Sequence, residues 1–254
     1  MWNIALNTFR ELIRNKLFSL IGVFGATFII LSFLLETLSL GEVKRMIFDF
    51  GMSFIEITGV FVVLFIGGQM IYREIEGRTI YLMLSKPISR GSILLGKFFG
   101  FAMALAIILG LLSTLLSILL ILKDAQLDII YFLAILGIYI KFLSLLAIIL
   151  FFSTFVSPMV AMFVTGGIYF IGHGVSEILA FAARKGMTEL LYLGKWLALL
   201  FPNYSILNLK NIVDTDAPIL LSSWLTGYGL QVLYIIVILF LGTLIFSRKS
   251  FDNA

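Results

Sequence analysis

The chain has 254 residues, 61% of them hydrophobic and only 13% charged, with no cysteine and a formal charge of +4. A water-soluble domain averages about 45–50% apolar and about 25% charged residues, and it must still present a polar surface, so this composition excludes an ordinary soluble fold and points to lipid as the solvent. The absence of cysteine excludes disulfides and thiolate chemistry, and the basic residues flank apolar runs rather than forming the continuous stripe that nucleic acid would require.

In chain order, residues 1–16 place Trp2, Ala5, Leu6, Phe9, Leu12 and Ile13 at helical spacing, opposite Asn3, Asn7, Arg10, Glu11 and Arg14. This pattern predicts an amphipathic helix lying in the membrane interface. A span needs roughly 20 mostly apolar residues, and the windows 17–40, 52–72, 98–122, 129–156, 159–182 and 229–247 qualify. The first is too long for a signal-peptide core and reads as an uncleaved span. The expected fold is therefore all-α and integral to the membrane, with six transmembrane helices in one domain. Ser157-Pro158 is a tight turn between spans four and five, because proline disfavours helix in the residue before it. The 183–228 segment mixes an apolar run with Pro202, Asn203, Asp214, Asp216 and Pro218. It reads as short external helices or a re-entrant element. Arg10, Arg14, Lys16, Arg73, Arg78, Lys86, Arg90, Lys97, Arg248 and Lys249 gather on one side of this topology. By the positive-inside rule, both termini are expected in the cytoplasm.

Between spans two and three lies REIEGRTIYLMLSKPISRGSILLGK, residues 73–97. Its apolar positions suit a short surface helix ended by Pro87, after which Ser89 can cap the next helix. Such a helix, held at the membrane between two spans, is suited to receive force from a soluble partner. The run Glu74-x-Glu76-Gly77-Arg78-Thr79-Ile80, followed by Leu84-Ser85-x-Pro87-Ile88-Ser89-Arg90 and Leu95-Gly96-Lys97, resembles the cytoplasmic loop of type-2 ATP-binding-cassette (ABC) permeases. Ser153-x-Phe155-x-Ser157-Pro158, Gly172-His173 and Phe201-Pro202-Asn203 are similar to the branch linked to maturation of copper enzymes such as nitrous oxide reductase.

The resemblance implies a permease subunit of an ATP-driven exporter in the plasma membrane of a prokaryote. A second copy of the chain, as a homodimer, and a separate cytoplasmic ATPase are the implied protein partners, with membrane lipid around them and no nucleic acid. Carried over by position, Glu74, Glu76, Arg78, Thr79, Leu84, Pro87 and Arg90 would form the coupling element. No G-x-x-x-x-G-K-[ST] phosphate loop is present, so ATP and Mg would be bound by the partner, with no cofactor held directly and no enzymatic activity of the chain's own. The rival reading is an ion-coupled secondary transporter or channel, which internal repeats would favour; none is evident. An intramembrane enzyme would need a constellation such as H-E-x-x-H or G-x-S-x-G, and neither is present.

Ionisable groups at bilayer depth are functional candidates. Lys141 falls near the centre of span four, roughly 18 Å from its start by helical rise. His173 and Glu177 are four residues apart and share a helix face. Lys141, His173 and Glu177 either face a translocation path or a buried polar cluster, or, for Lys141, the side chain snorkels to the interface. Glu36 and Glu56 are expected at the headgroup level. One histidine, no cysteine and scattered methionines make a poor soft-metal site, so no metal is expected. The glycines at 96 and 100, and at 166, 167, 172 and 174, are read as close helix-packing surfaces.

Overall fold

The computed structural model describes residues 1–34, 43–76, 89–125, 127–208 and 221–248. Among them there is helix and no strand, as a bilayer demands of a chain that is not a closed barrel. The helices are α1 (Trp2–Ile13), α2 (Lys16–Leu34), α3 (Val43–Val62), α4 (Gly68–Glu76), α5 (Arg90–Ile121), α6 (Ile129–Ser153), α7 (Pro158–Lys185), α8 (Thr188–Leu200) and α9 (Leu221–Arg248). A π-helical segment, Val63–Gly67, joins α3 to α4. Among the described residues, five stretches are long and apolar enough to cross a membrane: Lys44–Tyr72, Gly91–Ile121, Ile129–Ser153, Pro158–Lys185 and Leu225–Arg248. A sixth is counted when α1 and α2, bent by 57° at their junction, are taken together. The protein is an all-α integral membrane protein.

The helix ends follow local chemistry. Ser89 caps α5, its hydroxyl accepting from the Ser92 amide at 3.3 Å. Pro158 occupies the first turn of α7, where its missing N–H costs nothing. The α3 helix begins nine residues before the apolar window at 52, because its polar first turns have partners. Arg45 pairs with Asp49 one turn on, at 3.8 Å, and Lys44 donates to the Asp124 carbonyl at 2.9 Å.

The α6 helix is the axis of the bundle. It packs against α3, α5, α7, α9 and the π-helical segment, and 72% of its apolar window is buried, against 28% for α7 and for α9. The α1 helix is not simply an interfacial float. Its Ala5, Thr8 and Leu12 edge is buried, while Trp2 and Ile13 remain exposed. The reason is glycine spacing on α5: a side chain at Gly100 would strike the Ala5 backbone, and one at Gly96 would strike Ile4. On α7 the packing expectation is met at Gly172 and fails at Gly167 and Gly174, where an added Cβ would meet nothing within 4 Å.

The 183–228 region contains α8, which folds back on α7, and a 3-10 turn at Ser205–Leu207. Between them the chain dips into the bundle, and Tyr204 is fully buried.

Candidate functional site

Two buried charges, Glu56 and Lys141, meet where α3, α6 and α7 cross. Gly59, one turn after Glu56, has no Cβ, and the Phe142 ring of α6 occupies that space. This close approach brings the side chain preceding Phe142 against α3. Lys141 Nζ donates to Glu56 Oε1 at 2.9 Å, with 1% and 6% of the two side chains exposed. Lys141 therefore does not snorkel. The headgroup placement expected for Glu56 is corrected as well. Because α3 starts at Val43, Glu56 is roughly 20 Å along the helix by rise, close to the middle of a bilayer rather than at its edge.

Two groups from α7 complete the cluster. Tyr169 donates its hydroxyl to the same Glu56 oxygen at 3.0 Å, and His173 Nε2 lies 3.2 Å from it and 3.5 Å from Lys141 Nζ. His173 Nδ1 is 3.0 Å from the Tyr169 carbonyl, an acceptor only, so the ring proton belongs on Nδ1. Nε2 then has two roles. In a neutral ring it accepts from Lys141, and in the imidazolium it donates to Glu56. The carboxylate thus collects donors from two other helices, the arrangement that offsets the large cost of burying charge.

Sequence motifs that lie far apart come together beside this pair. The Tyr204 amide donates to the Gly172 carbonyl at 3.0 Å, Ser205 Oγ donates to the His173 carbonyl at 2.7 Å, and Ser176 Oγ donates to Asn203 Oδ1 at 3.1 Å. A side chain at Gly172 would strike the Pro202 carbonyl and the Tyr204 ring. Gly172-His173 and Phe201-Pro202-Asn203 are therefore two sides of one contact. Tyr204 also packs its ring against His173 and Tyr169, with centroids 5.4 and 5.9 Å away. Its hydroxyl sits 3.2 Å from Ser144 Oγ, which in turn accepts from Gln231 Nε2 of α9 at 2.7 Å. One polar network runs from α3 through α6 and α7 to α9.

The sequence-predicted residues divide. Lys141 and His173 join, whereas Glu177 is exposed and stays apart from the cluster. Glu56 joins them against its expected headgroup placement, and Tyr169, Ser144, Tyr204 and Gln231 are members that composition and spacing did not single out. Of the loop residues, Glu74 and Glu76 lie in the last turn of α4, and Arg90 is the first residue of α5. Arg78, Thr79, Leu84 and Pro87, like Glu36, fall outside the described residues. Among the described residues no group of three or more His, Cys, Asp or Glu side chains is placed to hold a metal. The cluster is a neutralised ion pair with a titratable neighbour.

The fold alone, an all-helical membrane bundle with a Glu56–Lys141 pair inside it, does not name a function. A family model, ABC-2 family transporter protein, matches residues 2–251, and the chain belongs to that family. It is a permease subunit of an ABC transporter, the membrane component rather than a catalytic one. No curated protein matches the chain.

Proposed function

We propose that this chain is the membrane half of an ATP-driven exporter, and that residues 74–90 couple it to a separate cytoplasmic ATPase. Two copies pair around the transport path, with both termini in the cytoplasm of a prokaryotic cell. The observation that carries this reading is the loop motif, Glu74 to Arg90, in a chain whose family match runs end to end. The π-helical segment supports it, since it stands between the Glu56-bearing α3 and α4, which leads into the loop. Such insertions recur at functional sites. Closure of the ATPase pair on ATP pushes the loop, α4 and α3 move as a lever, and the Glu56–Lys141 pair keeps α3 tied to α6 and α7. The branch nearest the chain is the one serving copper-enzyme maturation, on the strength of the Gly172-His173 and Phe201-Pro202-Asn203 pair.

The test is purification of the tagged protein from native membranes in mild detergent. A stoichiometric soluble ATPase that is lost when residues 74–90 are scrambled supports the proposal. A protein that emerges intact and alone, indifferent to ATP in liposomes, overturns it in favour of ion-driven transport.

A further inference from the structure

A groove of about 370 Å³ runs between α2 and α5, beginning under the α1–α2 bend. Its walls are hydrocarbon: Ile13 of α1, Phe18, Gly22 and Ala26 of α2, and Ile108 and Leu112 of α5. Ser19 is the single polar side chain lining it. Water would find almost no partners there, and both walls are spans or candidate spans, so the groove opens to lipid. Its rim is apolar too, with Val23 and Leu111 each about two-thirds exposed.

Depth and charge specify the occupant. Along α2 the groove extends from Phe18 to Ala26, roughly 12 Å by helical rise. That is under half of the approximately 30 Å hydrocarbon core, so the groove stays within the leaflet on the amino-terminal side. At its mouth, in and beside the bend, Arg14 and Lys16 are exposed, with Arg10 one turn back and Glu11 between them in sequence. Among the described residues neither Arg14 nor Lys16 has an ion-pair partner. An apolar slot one leaflet deep beneath two unneutralised cations matches an acyl chain joined to a phosphate.

We infer that the α2–α5 groove is a binding site for an anionic phospholipid, its acyl chain against Gly22 and Ala26 and its headgroup phosphate at Arg14 and Lys16. The lipid acts as a wedge that fills the angle where α1 turns into α2. The site is independent of which ATPase or cargo the permease serves.

The probe is dioleoyl phosphatidylglycerol against dioleoyl phosphatidylcholine, each titrated onto the purified full chain and counted by native mass spectrometry. Phosphatidylglycerol should be retained about tenfold more tightly, since each cation near a membrane surface favours an anionic lipid several-fold. Arg14→Gln with Lys16→Gln should bring it down to the phosphatidylcholine level. Both side chains are exposed, so folding is not at stake. Ser19→Phe, which narrows the slot, should weaken both lipids. Equal retention of the two lipids by the unmodified chain, or the same preference in the double variant, overturns the site. Because the chain has no cysteine, Val23→Cys gives a clean second readout in liposomes. A disulfide between the position-23 thiols of two copies, formed when a mild oxidant such as copper phenanthroline is added, would mean that protein covers the groove, and that also overturns the inference.

Discussion

The α6 and α9 helices are nearly indistinguishable by apolar content, yet one is the axis of the bundle and the other its wall. The buried share is 72% for α6 and 28% for α9. In water such a contrast would be written in the sequence as a polar outer face. In lipid the outer face is as apolar as the inner one, so amphipathicity no longer reports burial. What separates the two helices is their polar content at depth. The α6 helix carries Lys141 and Ser144, both buried, and everything that ties them faces inward. The α9 helix carries no charge at depth and meets α6 through Gln231, which is buried, and through the half-buried Tyr228, whose hydroxyl donates to the Leu133 carbonyl at 2.9 Å. A cation in a very apolar run is therefore a better marker of the bundle axis than the run itself.

The comparison breaks most sharply at Lys141. Lys141→Met leaves Glu56 buried without its counter-ion, and removal of one partner of a buried pair costs about 3–5 kcal/mol. Thermal unfolding in detergent should show this loss, with transport activity falling alongside. Glu56→Gln combined with Lys141→Met should recover most of the stability. If the double variant is no better than the single one, the two charges are not coupled and the axis is held by packing alone.

Next in size are matched truncations. Leu145 of α6 is fully buried, whereas Leu233 of α9 is 56% exposed. Leu145→Ala should cost about 2–4 kcal/mol through lost contacts and the cavity left behind. Leu233→Ala, facing lipid, should stay within about 0.5 kcal/mol. Equal losses would mean that α9 is covered as fully as α6 in the membrane, and that the lipid-facing reading of its outer side is wrong. Smaller again is Gly59→Ala, where the added methyl meets the Phe142 ring and overpacking costs about 1–3 kcal/mol. It should also loosen the Glu56–Lys141 pair. Combining Gly59→Ala with Phe142→Leu should relieve the clash, and thermal unfolding of the two variants measures the difference.

The same contrast explains what was legible beforehand. Long apolar windows announce helices whatever surrounds them, so the membrane fold could be read directly, as could the Ser89 cap and the Pro158 turn. Lys141 was conspicuous because a charge in such a run has few explanations. Glu56 was misplaced because the start of α3 rests on side-chain partners, Arg45 with Asp49 and Lys44 with the Asp124 carbonyl, which hydropathy does not count. Tyr169, Ser144 and Gln231 were invisible for another reason. Single hydroxyls and amides are common in spans, and only the crossing of helices shows which of them converge. The Gly172-His173 and Phe201-Pro202-Asn203 motifs were visible separately. Their contact was not, because it depends on a chain segment dipping into the bundle.

The smallest effect is at the joint between the two helices compared. Gln231 Nε2 donates to Ser144 Oγ at 2.7 Å, and that hydroxyl also meets Tyr204. In the membrane a side-chain hydrogen bond between helices averages only about 0.6 kcal/mol, because the separated helices find other partners. Gln231→Leu should therefore lower stability by about that amount, and the resulting shift in thermal unfolding should be barely resolved. The double-mutant cycle with Ser144→Ala is the sensitive measurement. A coupling near 0.6 kcal/mol means that α9 is held by ordinary packing with weak polar ties, this one and the Tyr228 hydroxyl on the Leu133 carbonyl at 2.9 Å. A coupling above about 1.5 kcal/mol would instead mean that the Ser144–Tyr204–His173 side of the network extends rigidly to α9. The wall would then move with the axis, and the distinction between the two helices would be one of burial rather than of mechanics.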